Sequence, residues 1–274
     1  MWHPPRYPVL FLIVEVNFQN QPPATPAGRS GGGVQSVERT FELLELLADA
    51  GGEVALSQLA ESSGLPLPTI HRIMRTLLAG GYVRQQPSRR YSLGPKLIRL
   101  GETAGRSLGA WARPYLAAIT EAVGETSNMA ILDGAKVVYV AQVPSPHAMR
   151  MFTEVGRQVD VHCTAVGKAM LAEWPVDQVD QLLSRAGMPA KTERTITDLA
   201  TFRAELTTVR EQGYAVDDGE QELGVHCIAV AVPKSSAAIS ISGPQARMSL
   251  IALDEVVPLL RDAAAKLAGE LASA

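Results

Sequence analysis

Apolar residues first recur at helical spacing in Val37, Phe41, Leu44, Leu47 and Ala48, a pattern that predicts a helix. Ser36 stands where a side-chain cap would start it, and Asp49-Ala50-Gly51-Gly52 ends it. Ser57 is placed to cap a second, short helix from Gln58 to Ser63, stopped by Gly64. After Leu65-Pro66-Leu67 a third helix is predicted from Pro68 to Ala79; a proline is tolerated in its first turn. Ile70, Ile73, Met74, Leu77 and Leu78 make its apolar face, and Thr69, His71, Arg72, Arg75 and Thr76 the other. Period two then replaces period 3.6. Tyr82-Val83-Arg84 and Arg90-Tyr91-Ser92-Leu93 read as two strands joined by a turn from Gln85 to Arg89.

Two helices joined by a tight turn, the second polar and basic outside, form the helix-turn-helix arrangement whose second helix enters the major groove of DNA. Thr69, His71, Arg72 and Arg75 are then placed to reach base edges or phosphates. Arginine can grip guanine through two hydrogen bonds. A hairpin wing carrying Arg84, Arg89 and Arg90 would lie along the phosphate backbone, where contacts fix register. Ser36, Arg39 and Ser57, at the starts of the first two helices, complete the candidate DNA-binding set.

Charge sharpens this picture. The net charge is −3, which announces no nucleic-acid partner. It is unevenly spread: between Ser57 and Arg99 stand seven basic residues against a single acid, Glu61. Residues 111–274 carry 14 basic and 20 acidic residues. An acidic body with one basic segment concentrates its positive field there.

Beyond the hairpin, Leu97, Leu100, Gly101, Ala104 and Leu108 form a stripe on a linker helix over 95–110. From residue 111, strand patterns at 127–132, 137–142, 149–152, 213–216, 226–232 and 238–242 mix with helices near 112–123, 164–174, 176–186, 199–212 and 255–271. Antiparallel strands with helices packed around them predict an α+β domain through residue 274. With 274 residues, two modest domains are expected, residues 34–94 being the first. Residues 1–33 stand apart. Val9 to Val14 is a short apolar run broken by Glu15, and Pro22-Pro23, Pro26 and Gly31-Gly32-Gly33 follow. A disordered tail or an extension from a misplaced start codon fits better than an export signal. No run approaches a membrane span. Two cysteines, Cys163 and Cys227, make no disulfide framework, and a cytoplasmic location is expected.

Small-molecule chemistry concentrates in the second domain. Thr164 should cap the helix beginning Ala165-Val166-Gly167-Lys168, whose free N–H groups favour an anion. Ser240 and Ser242, two apart on a strand, share a face. Asp217 ends another strand and can accept hydrogen bonds, and Cys227 lies on the next strand. An ordinary polar strand face and a turn aspartate explain these residues equally well. His162-Cys163 and His226-Cys227 raise an alternative, a small-acid enzyme using Cys/His or a metal and carrying a DNA-binding appendage. Neighbours on a strand point to opposite faces, so neither dipeptide is itself a dyad. No further ligand stands at metal spacing, and no cofactor is called for.

The segments Val34-Gln35-Ser36-Val37-Glu38-Arg39, Leu65 to Arg72 and Tyr91-Ser92-Leu93-Gly94 resemble the DNA-binding domain of IclR-type transcriptional regulators. The resemblance continues through Gly124-Glu125-Thr126, Leu132-Asp133-Gly134, His162 to Lys168, Gly213 to Asp217, Val225 to Ala229 and Ile239 to Pro244. It implies a winged helix-turn-helix, a linker helix and a GAF-like effector-binding and oligomerisation domain. It also implies a regulator of double-stranded operator DNA, in most cases a repressor, acting as a homodimer or dimer of dimers. The motifs look most like the branch that answers glyoxylate and represses allantoin catabolism. There the effector pocket corresponds to Ala165, Val166, Asp217, Cys227, Ser240 and Ser242. Ala165-Val166 is bulkier than the Gly-Ala of that branch, and Thr164 replaces a serine. Small 2-oxo acids, ureido acids such as allantoate, and aromatic acids all stay open as the small carboxylate effector.

Overall fold

The computed structural model describes residues 34–151 and 154–273. The expectations for residues 1–33, and for Phe152 as the end of a strand, lie outside the described residues. The described chain divides into two compact units, with the boundary between Ala104 and Gly105.

The first unit holds helices α1 (Gln35–Asp49), α2 (Leu56–Ser63) and α3 (Leu67–Gly80), then strands β1 (Val83–Gln85) and β2 (Tyr91–Leu93). Helix α4 (Lys96–Leu108) begins just beyond. Its core gathers Leu43 and Leu47 of α1, Leu59 of α2, Ile70, Ile73, Met74 and Leu77 of α3, and Val83 and Tyr91 of the hairpin. Four of the five predicted apolar positions of α3 are therefore buried, while Leu78, at the edge of that face, is 39% exposed. Helix α1 is turned from its expected face. It buries Leu43 and Leu47, while Phe41 stays 61% exposed. The run Leu43-Leu44-Glu45-Leu46-Leu47 offers two overlapping apolar stripes, and the one centred on Leu43 and Leu47 meets α2 and α3.

Neither serine caps its helix. Val34 precedes α1 without a side-chain cap, and Ser36 lies inside the first turn, its carbonyl accepting Thr40 Oγ1 at 2.6 Å. Helix α2 starts after Ala55, whose N–H donates to Gln58 Oε1 at 3.1 Å, so the glutamine supplies the partner expected of Ser57. Gly64 ends α2 in the left-handed conformation at φ 66°, which glycine adopts without steric cost.

The second unit is a six-stranded antiparallel sheet in the order β5-β4-β3-β8-β7-β6. Its strands are β3 (Thr126–Asp133), β4 (Lys136–Val143), β5 (Gln158–Asp160), β6 (Ala215–Asp218), β7 (Val225–Ala231) and β8 (Ala237–Pro244). Helices α5 (Arg113–Val123) and α10 (Leu253–Ser273) cover one face, packing Leu116, Ile119, Leu260 and Leu267 on Ile239 and Ile241. Helices α6 (Ala165–Ala172), α7 (Val176–Ala186) and α8 (Leu199–Gln212) cover the other, with Met170, Leu183 and Phe202 against Ala130, Ala229 and Ala238. A short helix α9 (Gln245–Met248) follows β8. Met149–Met151 is irregular rather than a strand; β5 pairs with β4 instead, Val159 opposite Val137.

Period two along β8 sorts the residues. Ile239 and Ile241 enter the α5/α10 core, and Ala238, Ser240 and Ser242 face the α6 side. Register carries the polarity across the sheet. Asp217 is opposite Cys227, Cys227 opposite Ser242, and Ser242 opposite Thr126. Opposed residues of antiparallel strands share a face, so four distant positions form one polar row.

Candidate functional site

Two constellations stand out, one in each unit. In the first unit α3 turns its outer face to solvent. His71, Arg72 and Arg75 are exposed, and Thr69 is half-buried. An open groove of about 440 Å³ runs between α1 and α3, and Ser36, Arg39, Thr69 and Arg72 line it together. Four of the candidate DNA-binding residues therefore share one concavity. Ser57 is exposed on α2 and does not line the groove. None of Arg72, Arg75, Arg84 or Arg89 is held in an ion pair with a described residue, so their donors stay open to an outside partner.

The wing separates its three arginines. Arg84 pairs with Ser92 in the ladder and is exposed. Arg89 sits at the tip with φ 61°, in the left-handed region, and is also exposed. Arg90 turns inward. Its Nη2 donates to Glu53 O at 2.9 Å and to Gln58 Oε1 at 2.9 Å, and its Nε donates to Glu53 O at 3.1 Å. The guanidinium thus ties the wing to the segment before α2, with three of its five N–H donors taken by Glu53 and Gln58.

In the second unit the polar row ends in a small cavity of about 30 Å³, lined by Thr164, Asp217, Cys227 and Ser242 with Tyr139 and Met151. That volume holds roughly two water-sized groups. Three predicted residues stand elsewhere. Ala165 and Val166 are buried in the α6-side core, because the α6 N-terminus packs inward. Ser240 is buried one register step along the sheet, opposite Ala229 and Asn128. Tyr139, Met151 and the loop residues Gln221 and Glu222 line the cavity without having been singled out by the sequence. For Gln221 and Glu222 the polar run after Asp217 was the available signal, since a loop between adjacent strands must cross the end of one; Tyr139 and Met151 come from elsewhere in the chain.

Thr164 does cap α6. Its Oγ1 accepts the Gly167 N–H at 3.3 Å. Gly167 has no room for a side chain: a Cβ there would lie 2.1 Å from Val161 O. Ser242 Oγ accepts from Asn128 Nδ2 at 3.0 Å, and Asn128 Oδ1 accepts from Gln142 Nε2 at 3.0 Å, a chain that orients the serine.

Asp217 is 2% exposed. Its Oδ1 accepts the Glu220 N–H at 2.7 Å and the Gln221 N–H at 3.4 Å, fixing the loop that follows β6. Burial pushes its carboxyl up to about 7, and the Glu220 charge adds to this against the pull of Lys168. Lys168, 1% exposed, reaches Glu220 Oε1 at 2.5 Å and Glu205 Oε1 at 2.8 Å. Burial lowers its pKa, but the two carboxylates more than reverse this and keep the ammonium charged. Glu220 Oε2 is buried with no hydrogen-bond partner among the described residues.

The His-Cys pairs do not form dyads. Burial pulls the pKa of His162 down, and its Nε2 meets Pro189 O at 3.1 Å. Cys163 Sγ donates instead to Gln221 Oε1 at 2.9 Å, and burial pushes its thiol up to about 12. His226 lies against Asp218 at 3.1 Å, while burial raises the Cys227 thiol well above its ordinary value. Neither thiol has the lowered pKa of a nucleophilic cysteine. Among the described residues no three His, Cys, Asp or Glu side chains gather as a metal site, and no helix is long and apolar enough to cross a membrane.

Known domains span both constellations, save Arg89 and Arg90, which lie just beyond the first. The family described as the IclR helix-turn-helix domain matches residues 36–87, and the one described as the bacterial transcriptional regulator IclR C-terminal domain matches residues 103–268. The transcriptional repressor IclR of Escherichia coli is 36% identical over 236 residues, covering 83% of this chain and 86% of that protein. The solved IclR transcriptional regulator of Alicyclobacillus acidocaldarius is 32% identical, with a TM-score of 0.74 over 86% of this chain and 98% of that one. An IclR homologue of Microbacterium hydrocarbonoxydans, solved with 4-hydroxybenzoate, shares the fold at 22% identity, with a TM-score of 0.75 over 87% of this chain and 100% of that one. With both family models matched and a relative of this identity and coverage, the chain belongs to the IclR family of DNA-binding transcriptional regulators.

Proposed function

We propose that this regulator is a repressor whose hold on operator DNA is set by a small carboxylate bound at Asp217. The observation that carries the reading is the cavity where Thr164, Asp217, Cys227 and Ser242 meet, four of the seven positions the sequence singles out. As it stands the cavity is too small for an aromatic acid, and even a compact acid such as glyoxylate, with five non-hydrogen atoms, requires its lining to move outward. The carboxylate in the Microbacterium hydrocarbonoxydans homologue supports the ligand class.

In this reading Arg72 and Arg75, with Thr69 and His71, read the major groove, and Ser36 and Arg39 hold the backbone beside them. Arg84 and Arg89 bind phosphates from the wing. Residues 34–94 form the DNA-binding domain, 95–110 the linker and 111–274 the effector-binding and oligomerisation domain. The protein works in the cytoplasm as a homodimer or a dimer of dimers, matching a two-fold operator. For the effector to regulate, it must bind the operator-free state more tightly than the operator-bound one.

A thermal-shift panel of glyoxylate, pyruvate, allantoate, ureidoglycolate and aromatic acids tests the pocket. A true effector at 100 times its Kd adds about 2.7 kcal/mol of stability. Asp217→Ala should lose that shift. A shift that survives the substitution would remove Asp217 from the site.

A further inference from the structure

The residues lining the cavity include two acids, Asp217 and Glu222, and no base. The cation that acts on Asp217, Lys168, is already shared between Glu220 at 2.5 Å and Glu205 at 2.8 Å. A carboxylate entering here therefore adds a negative charge to a site already holding more acid than base. Uncompensated burial of like charges is costly, and something must offset it.

Asp217 is placed to do so. Its Oδ1 is held by the Glu220 and Gln221 N–H groups. Oδ2 makes no hydrogen bond to a described residue, and Asp217 lines the cavity. Ionised, it repels an anionic ligand; protonated, it donates to one. We propose that a carboxylate effector binds together with one proton, carried on Asp217 Oδ2 as an O–H donor to the ligand carboxylate. The inference rests on the effector reading of this cavity. It balances simply: protein with ionised Asp217, ligand anion and proton combine without any other group changing charge.

Several titratable and charged groups surround Asp217, and burial also raises the pKa of one of them, the neighbouring Glu220 carboxyl. Cys227 on β7, Tyr139 on β4 and Cys163 before α6 are all raised by burial and stay protonated. Lys168 on α6 stays charged, with Glu205 of α8 behind it. Glu220, on the loop, is ion-paired to Lys168, and Asp218 turns away to Arg194 and His226. Glu222 lies at the outer, exposed edge of the cavity. Burial already pushes Asp217 up to about 7, so its proton can be taken up at neutral pH.

Calorimetric titration of the full chain with glyoxylate tests this. At pH 8, titrations in phosphate and in Tris, whose ionisation heats differ, should give enthalpies that differ by nearly one proton's worth. Kd should rise about tenfold per pH unit above pH 7 and level off below it. Asp217→Asn keeps the Oδ1 acceptor and replaces the proton by a permanent N–H donor. It should bind glyoxylate with no proton uptake and no pH dependence. Wild-type binding with equal enthalpy in both buffers and the same Kd at pH 6 and pH 8 overturns the inference while leaving the pocket intact. An Asp217→Asn variant that folds but fails to bind at either pH overturns it too. Absence of heat with glyoxylate at pH 6, where Asp217 carries its proton, removes the pocket reading, and the inference falls with it.

Discussion

Asp217 and Glu220 are joined twice over: the Asp217 carboxylate accepts the Glu220 N–H at 2.7 Å, and the charges of the two side chains raise each other's cost of ionisation. The same loop is thus held by a hydrogen bond and burdened by a like charge, with Lys168 at 2.5 Å from Glu220 offsetting the burden. A site built this way responds to pH and to anything that alters its charge count.

The first consequence is for stability. The Asp217 carboxyl titrates at about 7 in the folded chain against 3.8 for the free group. A raised acid costs nothing where both states are protonated. The cost begins as pH rises through 4 and is complete above 7, when the folded chain must bury the charge. Asp217→Asn should therefore unfold like wild type at pH 4 and be more stable at pH 8, by up to about 4 kcal/mol. Chemical denaturation at the two pH values checks this, and an equal difference at both would show that the aspartate is not the strained group.

Lys168 should be costly to remove alone and cheaper to remove with its partner. Lys168→Met strands Glu220 and should cost about 3–5 kcal/mol. Glu220→Gln in the same chain should recover more than 1 kcal/mol of that. Additive losses in the double-mutant cycle would mean that the pair is not coupled.

Gly167→Ala should destabilise the second unit severely. The added methyl would meet the Val161 carbonyl at 2.1 Å, and backbone cannot step aside as a flexible side chain can. A melting temperature within a degree or two of wild type would contradict that packing.

The arginines of the first unit should divide by role. Arg72→Ala should weaken operator binding by about 1–3 kcal/mol while leaving nonspecific DNA binding nearly unchanged. Arg89→Ala should weaken both and reduce the salt slope by about one. Arg90→Ala should act largely through stability, since Glu53 and Gln58 take three of its five N–H donors. Gel shifts against salt, with melting curves alongside, separate the three. Equal specific and nonspecific losses for Arg72→Ala would refute base reading.

Helix α3 was legible because Ile70, Ile73, Met74 and Leu77 repeat on one face and nothing competes with them. Thr164 was legible for the same local reason, since a cap is settled within one turn. Residues decided by tertiary packing were less so. Helix α1 carries two apolar stripes, and only contact with α2 and α3 selects Leu43 and Leu47 over Phe41. Gln58 displaced Ser57 as the partner of the α2 start because its longer side chain reaches back to Ala55. The cavity itself depends on register across four strands. The pairing of Asp217 with Cys227 and of Cys227 with Ser242 cannot be read from spacing, nor can the arrival of Tyr139 from β4. Ala165 and Val166 sit next to a true lining residue in sequence, yet the helix turns them into the core.

The most direct measurement joins the two units. Operator DNA selected from random sequence by the protein would be labelled, and its binding followed by fluorescence anisotropy as glyoxylate is added, for wild type and for Asp217→Ala. The account predicts release of DNA from wild type and none from the variant, with equal operator affinity for both before addition. Release that is the same from both, or loss of operator binding by the variant without any ligand, would contradict it.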